Sequence, residues 1–291
     1  MATRLTLEQA AQFLQAAQDV LILAHKSPDG DTLGSGFGLL HALRGMGKRA
    51  WLACSDPIPP RYAYLMGGLT DAVWEDGTGI VPQAVVAVDI ADTKLFGEKL
   101  RDFADKVQLC IDHHGSNTGY AKYLLLRPNA AANCELMLDL LEAMGLPLTE
   151  QIANCLYTGL VTDTGCFRHS STTVDSHRAA EKLLQAGADM RMIHRLAFES
   201  VSRGKVALLV EAMQQIRYEL DGRCAILVLP RDRINVLGVA DDELEGIAAL
   251  PRQIEGVPVG VTLRQNKSYR GYNGTVPHHG PIAAPPPWPR P

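Results

Sequence analysis

The chain has 291 residues, 46% of them hydrophobic, and a formal net charge of −4. That length can bury a sizeable core and suits two domains, while the acidic balance offers no global basic field for long nucleic acid. No apolar run approaches the ~20 residues of a membrane helix, and the N-terminus lacks the basic-then-apolar order of a signal peptide. Cys54, Cys110, Cys134, Cys155, Cys166 and Cys224 form no Cys-x-x-Cys pair and sit mostly in apolar segments. They read as reduced thiols of a cytoplasmic protein.

Thr6-Leu7-Glu8-Gln9 has the form of a capping box, and Leu7, Ala10, Ala11, Leu14 and Ala17 continue it as one helical face. Val20 to Ala24 is a continuous apolar run suited to a buried parallel strand. It delivers His25-Lys26-Ser27-Pro28-Asp29-Gly30-Asp31 at its C-terminal end. Leu33 to Leu43 reads as a helix whose Gly34, Gly36 and Gly38 lower its stability. Those glycines make sense if the first turns approach something closely. Lys48 to Cys54 is a second strand, and Ala84 to Val88, running into Asp89, a third. Thr93 to Phe103 is expected to be a helix, followed by a strand at Val107 to Ile111 that ends in Asp112-His113-His114. Further helices are expected at Ala131–Met144, stopped by Gly145 and Pro147, and at Glu150–Val161 behind a Thr149 cap, leading into Thr162-Asp163-Thr164-Gly165. A last one spans Thr173–Ala186, with Gly187 just past its end.

From Met190 the pattern changes. Ile193 to Tyr218 reads as a long helical connector, Cys224–Leu229 and Val257–Arg264 as strands, and Asp241–Leu250 as an acidic helix. Strands alternating with helices predict an α/β fold, a parallel sheet with helices on both faces, followed by a smaller, incomplete α/β domain. The expected boundaries are 1–190 for the first domain, 191–218 for a helical linker, 219–267 for the second domain, and 268–291 for a Pro-rich tail without regular structure.

Polar residues recur where strands are expected to end: His25, Asp29, Asp31, Asp89, Asp112, His113, His114 and Asp163. In a doubly wound sheet, ligands collect outside those ends. Taken singly, each group has a plainer account. Asp29-Gly30-Asp31 after Pro28 is as easily a turn, and Asp89 or Asp163 a helix cap or a solvated strand end. Together they form a donor set suited to Mn²⁺, and able to hold Mg²⁺, Zn²⁺, Co²⁺ or Fe²⁺. The number of donors exceeds what one ion needs. Two ions ~3.5–4 Å apart, bridged by a carboxylate and a water, would use it fully. The expected reaction is hydrolysis of a phosphoester or phosphoanhydride by metal-activated hydroxide.

His25-x-x-x-Asp29-x-Asp31, Asp89, Asp112-His113-His114 and Gly159-Leu160-Val161-Thr162-Asp163-Thr164-Gly165 resemble, in order, the four motifs of the DHH phosphoesterases. The resemblance covers roughly residues 1–265. It points to the short-chain DHH/DHHA1 group, oligoribonucleases that also dephosphorylate 3′-phosphoadenosine 5′-phosphate (pAp). It implies one metal on His25, Asp29 and Asp89, and a second on Asp31, Asp89, His113 and Asp163, with Asp89 bridging. It also implies a catalytic trio of His114, Asp112 and Asp89. His114 faces the substrate phosphate, and Asp112 fixes the tautomer of a ligand histidine from behind. Arg168, in Phe167-Arg168-His169-Ser170, is a second candidate substrate contact. The implied cofactor is a pair of divalent ions, Mn²⁺ first, with Mg²⁺ or Co²⁺ as substitutes. The implied partners are short oligoribonucleotides and small nucleotides rather than long nucleic acid or a membrane, and a homodimer fits the family. The alternatives are a linear or cyclic dinucleotide phosphodiesterase, a pyrophosphatase, and a metal-binding protein without turnover.

The resemblance breaks near the end. A DHHA1 domain carries a Gly-Gly-Gly-His type loop that holds the substrate's phosphate or nucleotide end. Asp242–Gly246 and Leu250–Val257 resemble the early part of that domain, but Ser268-Tyr269-Arg270-Gly271-Tyr272-Asn273-Gly274-Thr275 stands where the loop should follow. A shifted frame or truncated gene is favoured over a divergent terminus, because a Pro-rich end is poor material for completing a sheet. Without the loop a metal centre persists while substrate capture weakens, which lowers kcat as well as affinity.

Overall fold

The computed structural model describes residues 2–75, 81–265 and 272–275. The chain divides into two compact units, Met1–Glu199 and Ser200–Pro291.

Unit 1 contains β1 (Thr3–Arg4), β2 (Asp19–Leu23), β3 (Arg49–Ala53), β4 (Ala84–Val88), β5 (Leu109–Asp112) and β6 (Tyr123–Leu126). They form one parallel sheet in the order β1-β6-β5-β4-β2-β3. Alternate residues go to opposite faces, and both faces of the inner strands β2, β4 and β5 are buried, so these read as near-continuous apolar runs. Val20, Ile22, Val86 and Ile111 join one core with Phe37, Leu136, Leu156 and Leu183, which come from four different helices. Those helices are α2 (Gly30–Gly45), α3 (Asn133–Ala143), α4 (Glu150–Asp163) and α5 (Val174–Gln185), flanked by α1 (Leu7–Ala16) and α6 (Met190–His194). The Thr6 capping box at α1 is formed. Leu21, Leu23, Ala87 and Cys110 face the other way, toward Phe96 and Leu100. That second face is covered by 3-10 turns at Thr93–Phe96 and Arg101–Lys106, not by the single helix expected over Thr93–Phe103. Gly97, with φ 72°, stands between them and ends the first turn.

The strand order locates the site. From β2 the chain passes through α2 to β3 on one side, whereas from β4 it proceeds to β5 on the other. The crevice between the carboxyl ends of β2 and β4 is therefore a topological switch point, where such sheets bind ligands. Residues 25 and 89 follow these two strands. Helix α2 starts in the crevice and is buried almost all round. Its glycines let α4 approach: a Cβ on Gly34 would lie 2.4 Å from the Cys155 carbonyl oxygen.

Unit 2 contains α7 (Arg203–Gln214), β7 (Arg217–Glu219), β8 (Cys224–Leu229), α8 (Arg231–Val236), α9 (Glu245–Ala248), β9 (Val259–Gln265) and β10 (Tyr272–Thr275). Its sheet runs β10-β9-β8-β7, with β8 and β9 parallel and the outer pairs antiparallel. Leu208, Leu227, Leu229, Ile234 and Ile247 share its core. The connector expected at 193–218 is not one helix. A π turn follows α6 at Arg195–Glu199, and the Ser202 hydroxyl starts α7 anew by accepting from the Lys205 amide. Asp241–Leu250 likewise breaks into a 3-10 turn and the short α9. Within the stretch expected to be irregular from 268, residues 272–275 form β10, which pairs with the edge that β9 would otherwise leave open, and residues 268–271 lie outside the described ones. Residues 276–291 lie outside the described ones.

All six cysteines are free, with Cys110, Cys134, Cys155 and Cys224 buried. Among the described residues no helix is long and apolar enough to cross a membrane. Overpacking at the α2–α4 contact is the sharpest test of this architecture. Gly34→Ala should destabilise the chain by about 1–3 kcal/mol, read as a lower urea midpoint with an unchanged m-value.

Candidate metal centre

Each residue of the crevice is aimed by a specific local interaction. His25, just beyond β2, donates from Nδ1 to its neighbour's carbonyl, Lys26 O, at 2.8 Å, which turns Nε2 inward. Asp29 caps α2. Its Oδ1 accepts from the Asp31 and Thr32 amides, both at 3.0 Å, leaving Oδ2 3.5 Å from His25 Nε2. Burial works against the Asp29 charge, but His25 and the two amides outweigh it and hold the carboxyl below its usual range. The Thr32 hydroxyl donates to Val88 O at 3.1 Å, fastening the start of α2 to the end of β4.

Asp89 follows β4 in the left-handed region at φ 58° and is 3% exposed. This backbone costs about 1–3 kcal/mol for a residue with a side chain, and Asp and Asn tolerate it best. It places one carboxylate between two histidines. Oδ2 lies 3.7 Å from His25 Nε2, and Oδ1 lies 3.5 Å from His113 Nε2.

Asp112 ends β5 and is fully buried. Its Oδ1 accepts from the His113 amide at 2.8 Å, the His114 amide at 3.1 Å and His114 Nδ1 at 2.8 Å, and its Oδ2 accepts from Asn117 Nδ2 at 2.6 Å. The histidine that Asp112 orients is thus His114, whereas His113 is oriented by donation from Nδ1 to Ala130 O at 3.0 Å. His113 Nε2 then lies 3.4 Å from Asp163 Oδ2 and 3.8 Å from Asp31 Oδ2. The His114 ring is half-exposed, and its bond to Asp112 raises its pKa. Nδ1 being held, Nε2 is the nitrogen left to meet a ligand.

Asp31 and Asp163 do not come from strand ends. Asp31 lies in the first turn of α2 and Asp163 is the last residue of α4, each helix running two or three residues beyond its expected limit. Beyond Asp163, Gly165, Cys166 and Phe167 all have φ near 60° (55°, 58° and 62°). Arg168 follows this turn, its Nε donating to Gly165 O at 2.6 Å, and His169 donates from Nδ1 to Asp163 O at 2.9 Å. Asn117 carries no signal of its own role in the sequence, although it lies within the same short stretch as the histidines. The Ala130 carbonyl leaves no trace in a side-chain pattern.

Three overlapping clusters have ligand atoms close enough for a metal: His25, Asp29 and Asp89; Asp31, His113 and Asp163; and Asp89, His113 and His114. The donor set fits a divalent cation. Asp89 Oδ1 and His113 Nε2 are buried, face each other, and have no hydrogen-bond partner. Such orphaned atoms are rare and need an explanation, and a shared cation supplies one.

Comparison with known proteins agrees. Residues 19–160 match the DHH family, N-terminal domain. Over 280 residues, 94% of this chain and 81% of the relative, the sequence is 29% identical to the bifunctional oligoribonuclease and PAP phosphatase NrnA of Thermus thermophilus. An exopolyphosphatase-related protein from Bacteroides fragilis shares the fold with a TM-score of 0.83 at 22% identity, over 94% of this chain and 83% of that one. RecJ from Thermus thermophilus in complex with Mn²⁺ gives 0.54 at 16% identity, over 96% of this chain and 48% of that one. The protein is by class a metal-dependent phosphoesterase. The matched DHH N-terminal domain lies within unit 1.

Without a cation the cluster holds excess protons. Burial, with Asp31 and Asp29 nearby, pushes the Asp163 carboxyl up to about 7. Burial opposes the His25 imidazolium, but Asp29 and Asp89 outweigh it and carry it up to about 9. Both folded values exceed the unfolded ones, so stability falls as pH rises, through Asp163 from 3.8 to about 7 and through His25 from 6.5 to about 9. A bound cation replaces these protons. In EDTA, Tm should fall between pH 6 and pH 9, and Mn²⁺ should raise Tm more at pH 8.5 than at pH 6. A Mn²⁺ shift of equal size at both pH values would contradict this linkage.

Proposed function

We propose that the chain hydrolyses very short oligoribonucleotides and pAp with the help of two divalent cations, Mn²⁺ in the first place and Mg²⁺ or Co²⁺ as substitutes. The observation that carries this is the Asp89 carboxylate, set with one oxygen toward His25 and the other toward His113. One bridging carboxylate between two separate donor groups is the arrangement a pair of cations needs. The substrate class rests on similarity to an oligoribonuclease and PAP phosphatase.

In this reading His25, Asp29 and Asp89 would hold one cation, and Asp31, Asp89, His113 and Asp163 the other. When bound, the pair supplies hydroxide near neutral pH and offsets charge on a phosphoryl group. The remaining work belongs to the protein's own groups. His114 Nε2, half-exposed at the rim, donates a hydrogen bond to a phosphoryl oxygen as negative charge builds on it. Asp112 keeps that imidazole protonated at Nδ1 and fixes its plane, and Asn117 in turn fixes Asp112. Arg168, after the left-handed turn, contacts the outer part of the substrate.

The test is a substrate panel run with Mn²⁺: diribonucleotides, pAp, pApA, a cyclic dinucleotide and pyrophosphate. Turnover of diribonucleotides and pAp is expected. Turnover confined to pApA or the cyclic dinucleotide would move the assignment to a dinucleotide phosphodiesterase. Mn²⁺ binding with no turnover on any member would leave a metal-binding protein without activity. His114→Ala should lower kcat by roughly 100-fold or more with metal content unchanged, whereas His113→Ala should lose a metal equivalent.

A further inference from the structure

Asp31 differs from the other carboxylates of the centre in what holds it. Both its oxygens accept main-chain amides from a different helix: Oδ2 from Asn133 N–H at 2.5 Å and Oδ1 from Cys134 N–H at 2.9 Å. These are the first two amides of α3, which intrahelical bonding leaves without partners. The residue at the N-cap position is Ala132, and it makes no side-chain cap. Asp31, about a hundred residues earlier in the chain, takes the place of the missing cap. Its charge also lies at the positive end of the α3 dipole. On its far side, α4 leaves room only because residue 159 is glycine, where a Cβ would lie 2.6 Å from Asp31 Oδ1.

The same loop aims a second donor. Ala130 O accepts from His113 Nδ1, three residues before the amide that donates to Asp31 Oδ2. One short stretch of main chain, 130–134, therefore sets the directions of two groups whose inward atoms are 3.8 Å apart. Asn133 Nδ2 donates to Ser35 Oγ at 3.0 Å, a side-chain contact separate from the amide that holds Asp31.

The geometry points to the N-terminus of α3 as a bracket for the Asp31–His113–Asp163 cluster, with the Asn133 amide as its positioning group. This rests on that cluster holding a cation. Without the bracket, Asp31 would swing within its pocket and meet the cation at the wrong angle. Asp31 thus serves as an interhelical cap and as a donor toward the cation.

Asn133→Pro tests the amide directly. Position 133 is the first residue of the helix, where proline is tolerated. Ala132 before it already has φ −149° and ψ 151°, the extended backbone that a residue preceding proline prefers. Asn133→Ala is the control, because it keeps the N–H and deletes only the side chain. Mn²⁺ binding is followed by calorimetry and by electron paramagnetic resonance, with metal-free Tm measured alongside. Asn133→Pro should weaken one of the two Mn²⁺ sites by roughly 10–100-fold, as loss of an outer hydrogen-bond partner does, and should lose the spin coupling of a manganese pair. Asn133→Ala should retain both. In the wild type, the Asn133 and Cys134 amide resonances should move on Mg²⁺ addition more than the other amides of α3, a measurement that needs no variant to fold.

Wild-type affinity at both sites in Asn133→Pro, equal impairment in Asn133→Ala, or unmoved amide resonances would each overturn the bracket. A wild type that takes up no divalent cation overturns the metal assignment as well, and so is distinguishable from failure of the bracket alone.

Discussion

Crowded negative charge is the constraint on which the centre depends. Asp31 is fully buried and Asp89 nearly so, and Asp29 and Asp163 stand beside the same two histidines. Burial and mutual repulsion raise the carboxyls of Asp31, Asp89 and Asp163 above their ordinary range. Left alone, this arrangement opposes folding, and the apolar packing around it has to hold it together. The favourable account of such a cluster is that it awaits positive charge. The α2 cap at Asp29, the left-handed backbone at Asp89 and the main-chain amides on Asp31 all keep carboxylates where they would not otherwise stay.

The sheet makes that crowding possible. Strands β2 and β4 are neighbours whose chains depart in opposite directions, so the space beyond their ends stays open. Helix α2 starts in that space, and α3 and α4 close over it. Close contact between α2 and α4, through glycines at 34 and 159, brings the end of α4 near the start of α2. Asp163 and Asp31 can then share a cluster although about 130 residues separate them along the chain.

Much of this was legible in the sequence, for definite reasons. Buried parallel strands are continuous apolar runs, so β2, β3, β4 and β5 stood out. Side-chain caps at Thr6 and Thr149 marked two helix starts, and Thr173, expected as the first residue of a helix, caps α5. The histidines and aspartates stood out because a core has no use for them. What escaped notice was carried by main chain or by short elements. β6 is four residues long and shows no period, and Gly97 turned an expected helix into two 3-10 turns. The partner of His113 is a carbonyl and the partners of Asp31 are amides, groups every residue possesses. Asp112 was expected behind a ligand histidine, yet it bonds His114 because the two share the bend at the end of β5.

Every residue gathered at the crevice, from His25 to His169, belongs to unit 1. Among the described residues, the clustered donor atoms are therefore written in the first part of the gene, and none of them comes from the sequence after Glu199. Recombination at that point would exchange one module for another and leave the set of donor residues intact. In a lineage built this way the second module can change, while the charged centre, where almost any change is costly, is inherited whole.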